Sequence, residues 1–136
     1  MVTNNDAALG KQARGQVMGL ITQFLLGMAV NLIGLPSQRT GGWKATTTVF
    51  VVLHSLIALG LAFGAVQVFR LARPADQRTR QLATYGLIAI VATIVAGIAT
   101  LSTKNNWWSY AMAVGFASAL LMYGGLLLGR AKQEPA

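Results

Sequence analysis

Between Lys44 and Arg70 the chain reads ATTTVFVVLHSLIALGLAFGAVQVF, residues 45–69, without a single Asp, Glu, Lys or Arg. A helix needs about 20 consecutive, predominantly apolar residues to cross a bilayer, and this run supplies 25 uncharged ones, most of them apolar. Residues 15–38, 81–103 and 105–129 repeat the property, so that four stretches of 23 to 25 uncharged residues fill most of the chain. Helices of soluble domains usually run about 8–20 residues and keep a polar face. The stretches also lack the two-residue alternation of membrane strands. The expected fold is therefore all-α, an integral membrane four-helix bundle. Its transmembrane helices are placed near 15–36, 46–69, 81–102 and 107–129 of one membrane domain covering 1–136.

Composition agrees. Of 136 residues, 10 % are charged and 54 % hydrophobic, against about 25 % charged in an ordinary soluble domain. Cysteine is absent, which excludes disulfides, thiolate metal sites and a cysteine nucleophile. Lys11 and Arg14 before the first span, Arg70, Arg73, Arg78 and Arg80 in the middle loop, and Arg130 and Lys132 after the last hold eight of the eleven basic residues. Arg39, Lys44 and Lys104 in the other two loops hold the remaining three. An even number of spans puts both ends on one side, and the bias of Lys and Arg assigns that side to the cytoplasm. The net charge of +8 then marks orientation and attraction to anionic headgroups of the lipid bilayer, not nucleic-acid binding. The first apolar run is too long for a signal-peptide core, so it reads as a retained helix. Residues 1–10 and 131–136 read as loosely ordered ends, and Trp43, Trp107 and Trp108 as interfacial aromatics at one rim.

Inside the spans, small and polar residues mark where helices meet, because lipid gives apolar side chains no reason to turn inward. The first helix carries Gly15, Gly19, Gln23, Gly27 and Asn31 at steps of four, and the second carries Gly60 and Gly64. The fourth carries Gly115, Ala119, Gly125 and Gly129. These read as packing surfaces, within the chain or between copies, with Gln23 and Asn31 as intramembrane polar groups. Gly19-Leu20-Ile21 is echoed by Gly86-Leu87-Ile88, and Phe63-Gly64 before Arg70 by Tyr123-Gly124 before Arg130. The echo allows two parallel helical-hairpin repeats.

His54 is the one histidine, about 12 Å into the second span at 1.5 Å per residue. A buried imidazole needs a partner. Asn31, Ser55, Tyr110 or a backbone carbonyl could supply it and leave a neutral structural histidine. Alternatively His54 is an axial ligand of haem b with Met28 or Met112 opposite, or part of a proton or ligand site. Asp6, Asp76 and Glu134 are the only carboxylates, and all lie outside the apolar runs. That argues against proton-coupled export and cation transport, and with no carboxylate pair or Ser/His/Asp set a conventional enzyme is not expected. One histidine without cysteine builds no zinc site, so no metal is expected.

Leu26-Gly27-Met28-Ala29-Val30-Asn31-Leu32, His54-Ser55-Leu56-Ile57-Ala58-Leu59-Gly60 and Ser109-Tyr110-Ala111-Met112-Ala113 together resemble a group of small uncharacterised four-helix bacterial membrane proteins. That likeness implies a bacterial inner-membrane protein and brings no activity with it. More distantly, helices one and two resemble half of a haem A synthase or a cytochrome of the b561 type. Those proteins pair histidines on different helices, whereas the position matching His54 in the second half is Val114. The expected role is a non-enzymatic packing or assembly subunit of a membrane complex or homo-oligomer. The alternatives are a haem protein ligated through His54 and a carboxylate-free facilitator for a small neutral solute, lined by Gln23, Asn31 and His54.

Overall fold

A computed structural model describes residues 4–34, 36, 40–103 and 106–131. Arg39, Lys104, Lys132 and Glu134, which entered the charge argument, lie outside the described residues. Four helices follow in order: α1 (Asn4–Ile33), α2 (Gly41–Ala72), α3 (Gln77–Thr103) and α4 (Asn106–Ala131). Each is long and apolar enough to cross a membrane. The helices form a ring in which α1 packs on α2 and α4, and α3 packs on α2 and α4. Across the diagonals, α1 to α3 and α2 to α4, no Cα atoms of the described residues come within 8 Å. Short connections between neighbours make this an up-down-up-down bundle, the all-α architecture read from the four uncharged spans.

The ends of the helices have local causes. Gly34 takes φ 89° and its N–H donates to the Val30 carbonyl at 2.9 Å, a left-handed cap that only glycine enters without a steric cost. Gly41, at φ 61°, turns the chain into α2. At the far end of α2, Arg73 N–H donates to Arg70 O and Ala75 N–H to Ala72 O, and Pro74 between them has no N–H to continue the helix. Asp76 then caps α3: the Thr79 N–H donates to its Oδ1 at 3.0 Å and the Thr79 hydroxyl to its Oδ2 at 2.7 Å.

The helix α1 begins well before residue 15, which corrects the expectation that residues 1–10 are loosely ordered. Residues 4–10 are helical, and Leu9 and Ala13 are buried with Leu20, Leu61, Val68, Ala72 and Tyr123. The polar composition of this segment hid a buried edge, because two apolar residues four apart are enough to dock one turn onto a neighbour.

Packing is uneven along the bundle. The buried cluster uses Leu9 to Leu20 of α1, Leu61 to Ala72 of α2, Ala83 to Ile90 of α3 and Ala119 to Leu126 of α4, all in the halves nearest the α2–α3 loop. Alanine recurs at the closest points (Ala13, Ala65, Ala72, Ala83, Ala89 and Ala119), letting backbones approach. In the other half few side chains are buried; Thr47 and Ala96 are examples, and Phe24 of α1 stacks on Phe116 of α4 at 5.3 Å. Large apolar side chains such as Leu56, Phe63, Ile98 and Leu121 are exposed on every helix. In water that pattern would be an aggregation surface; it is the ordinary exterior of a helix bundle in lipid. Exposed hydroxyls along the spans fold back on their own helix, as Thr22 does to Met18 O, Ser55 to Val51 O and Ser118 to Val114 O. That satisfies the donor where no water is at hand.

Removing the cap in Asp76→Ala is expected to cost about 1 kcal/mol. The Thr79 hydrogen bonds hold the Asp76 carboxyl below its ordinary range. The contribution is therefore present above the unfolded carboxylate pKa and is lost as pH falls through the lower folded value. Thermal unfolding in detergent should separate wild type from Asp76→Ala at pH 7 and bring them closer toward about pH 2. A gap that does not change with pH contradicts the ionic cap.

Candidate functional site

The polar centre of the bundle is the seam between α1 and α2. Gln16 and Gln23 stand seven residues apart, two turns along one face of α1 with about 20° of drift. Gln16 Nε2 donates to the Leu61 carbonyl at 3.1 Å, and Gln23 Nε2 to the His54 carbonyl at 2.9 Å. Leu61 and His54 are themselves seven apart in the antiparallel partner, so two equivalent bonds fix a single register. Each acceptor is a helical carbonyl, which keeps a second lone pair beyond its own helix bond.

Glycine makes the approach possible. A Cβ on Gly64 would collide with the Gln16 amide, and Gln12 Nε2 lies 3.1 Å from the same point. A Cβ on Gly19 would lie 2.9 Å from Leu61 Cδ2, and one on Gly27 would lie 3.2 Å from His54 Cε1. The α3–α4 seam works by the same means with other residues. The Tyr123 ring occupies the gap at Gly86, 2.7 Å from where a Cβ would stand, and the Thr93 hydroxyl fills the gap at Gly115. Gly125 makes an ordinary contact with Leu82, whereas a Cβ at Gly15, Gly60 or Gly129 would meet nothing within 4 Å.

His54 is half-buried, with its imidazole against Gly27. Its Nδ1 is buried without a hydrogen-bond partner among the described residues, as are Gln16 Oε1, Gln23 Oε1 and the Tyr123 hydroxyl. Three of the expected partners are placed elsewhere. Ser55 bonds Val51 O, Asn31 is exposed, and Tyr110 is exposed against Trp107. A backbone carbonyl does take part, but as the His54 carbonyl accepting from Gln23. The structure brings Gln23 and His54 together and leaves the methionines apart. Met112 Sδ lies 3.5 Å from a Cβ position on Gly97 of α3, and Met28 is 47 % exposed.

Chemically the seam can accept and donate hydrogen bonds, and little more. Among the described residues no group of three His, Cys, Asp or Glu is placed to hold a metal ion. The carboxylates of the described residues, Asp6 and Asp76, lie near the α2–α3 loop end of the bundle, away from His54. Sequence reasoning missed Gln16 and Tyr123. The spacing of Gln12, Gln16 and Gln23 was visible in the sequence as an amide face; the insertion of Tyr123 at Gly86 left no comparable signal.

Fold and seam together define a four-helix bundle whose helices are long and apolar enough to cross a membrane. No protein family, curated protein or solved structure matches the chain.

Two substitutions separate the roles of the seam residues. Gly64→Ala drives a methyl into the Gln16 amide and is expected to cost about 1–3 kcal/mol. Tyr123→Phe deletes a buried hydroxyl with no partner among the described residues, so it should be neutral or stabilising by up to about 1 kcal/mol. Reversible unfolding in mixed detergent micelles ranks them, and the reverse ranking contradicts the packing described.

Proposed function

We propose that this chain is a non-enzymatic multi-pass membrane protein that acts by associating with other membrane helices, in a homo-oligomer or a larger complex. The observation that carries the reading is a pair of glycines without a task inside the bundle. Gly15 and Gly60 each precede a seam residue, Gln16 and Leu61. One step back turns 100° around a helix, and in an antiparallel pair it turns both residues to the same side of the seam. Phe24 lies about 80° the other way from Gln16 and meets α4, so Gly15 and Gly60 share the outer face of the α1–α2 hairpin. Both are exposed, at nearly the same depth. A glycine inside a helix costs about 1 kcal/mol relative to alanine, and neither is used by the chain's own packing. A shallow notch between Met18, Leu56 and Phe63, all exposed, suits the close approach of another helix.

The distribution of Lys and Arg supports placing both termini and the α2–α3 loop on the cytoplasmic side. The resemblance of the first, second and fourth helices supports a bacterial inner membrane. Haem binding through His54 would draw its second axial ligand from another copy, because within this chain Met112 packs on α3 and Met28 turns outward. The solute-route reading has Gln23 already bonded in the seam and Asn31 exposed.

Light scattering of the detergent-solubilised protein tests the assembly reading. Wild type is expected to run as an oligomer or with a co-purifying partner. Gly15→Leu/Gly60→Leu should dissociate it while keeping its helical content, since a Cβ at either position meets nothing within 4 Å in the bundle. A wild-type monomer without a partner, or a double variant that still assembles, contradicts the reading. A Soret band in the same preparation that is lost in His54→Ala would move the assignment to haem.

A further inference from the structure

A basic groove lies where α2 gives way to α3, lined by Phe69, Arg73, Arg80 and Thr84 and enclosing about 360 Å³. A second hollow of about 340 Å³ shares Arg80 and Thr84 and continues over Gln77 and Tyr85. Residues 70–80 hold four arginines and one aspartate, a local charge of +3. Asp76 is counted in that charge but does not line the groove, and its carboxylate oxygens accept from the Thr79 N–H and hydroxyl. Arg73 is held in place by stacking: its Cζ stands 5.2 Å from the centroid of the Phe69 ring, a cation–π contact that restrains the guanidinium while leaving its N–H edge open. The Thr84 hydroxyl donates to Arg80 O at 2.8 Å, so the free donors in the groove are the two guanidinium forks.

Two planar forks facing one hollow fit a phosphate. The position of the hollow says what carries it. Arg73 lies one residue beyond the end of α2 at Ala72, and Arg80 lies in the first turn of α3, so the groove straddles the boundary between apolar span and polar loop. Below it Phe69, Tyr85 and Ile88 continue into the span, the last two exposed, and offer an apolar track for chains attached to that phosphate. A basic pocket between helices at the loop end of a span is the form that binds anionic lipid headgroups. We propose that Arg73 and Arg80 form a binding site for the phosphate of an anionic phospholipid, its acyl chains lying along α3. The inference rests on the helices crossing a bilayer, as proposed above, and not on the glycine notch. A monomer that retained anionic lipid would refute the assembly reading and leave this one standing.

The test compares the whole protein in nanodiscs of pure phosphatidylcholine and of phosphatidylcholine with phosphatidylglycerol, reading thermal stability and the lipid retained in native mass spectra. Wild type should be stabilised by phosphatidylglycerol and should retain it. Each arginine removed is expected to lower retention roughly fivefold, and Arg73→Gln/Arg80→Gln roughly 30-fold. Arg70→Gln/Arg78→Gln, in the last turn of α2 and the first turn of α3 but outside the groove lining, removes equal charge and should retain the lipid. Stabilisation of the wild type in detergent by inorganic phosphate, equal to that by the lipid, would overturn the lipid assignment. Equal losses in the two double variants would reduce the effect to diffuse surface charge and overturn the site. No preference for phosphatidylglycerol over phosphatidylcholine would overturn it as well. A folding defect in either double variant would show as lost helix in phosphatidylcholine discs.

Discussion

The structure depends on one constraint: a polar group placed inside an apolar span must find its partner within the protein. Gln16 and Gln23 meet it with their amide N–H groups, which donate to carbonyls of the neighbouring helix, while their Oε1 atoms have no partner among the described residues. In water such a bond could be traded for solvent and α1 could slide on α2 at little cost. In hydrocarbon a slip by one turn strands two amides at once, at several kcal/mol for each unsatisfied group. The register of the first hairpin follows from that penalty, and the positions of Gly19, Gly27 and Gly64 follow from the register. Each stands where the partner's side chain needs the space a Cβ would fill.

The second hairpin reaches a similar geometry with less polarity. Tyr123 at Gly86 and Thr93 at Gly115 set its closest contacts, and the Thr93 hydroxyl is satisfied by Ala89 of its own helix. The two hairpins share a buried cluster in the halves near the α2–α3 loop, in which alanines of all four helices stand among larger apolar residues. Toward the other end the bundle is held by fewer buried groups, among them the Phe24–Phe116 stack. His54 and Gln23 sit at the transition between the two regions. There an imidazole nitrogen and an amide oxygen have no partners among the described residues, as is true of Gln16 Oε1 and the Tyr123 hydroxyl nearer the α2–α3 loop.

What the sequence reveals and what it conceals follow from the same solvent argument. Four spans are legible because hydrocarbon excludes charge, so Lys44 and Arg70 bracket α2 as plainly as any cap. The glycines of the α1–α2 seam are legible because small residues have few other reasons to recur at steps of four. Which way each helix is rotated is not legible from hydropathy: Leu20 is buried and Leu25 exposed, yet lipid and protein interior are equally apolar. For that reason the contact of Tyr123 with Gly86 and the division of the glycines into inner and outer sets emerge only in three dimensions. The early start of α1 was hidden for a different reason. Leu9 and Ala13 stand among polar neighbours, and only their burial against the bundle shows that the helix continues there. His54 was legible as an isolated polar group at depth, while its surroundings were not.

Four helices that cross a bilayer in alternation put the α2–α3 loop on one side and the other two loops on the opposite side. Because the chain has no cysteine, single cysteines report directly. Labelling of Gly42→Cys, Ser102→Cys and Arg78→Cys by a membrane-impermeant maleimide should be complementary. The first two are expected to react in right-side-out cells and Arg78→Cys only in inverted vesicles. Reaction of Arg78→Cys and Ser102→Cys from the same side would contradict the account.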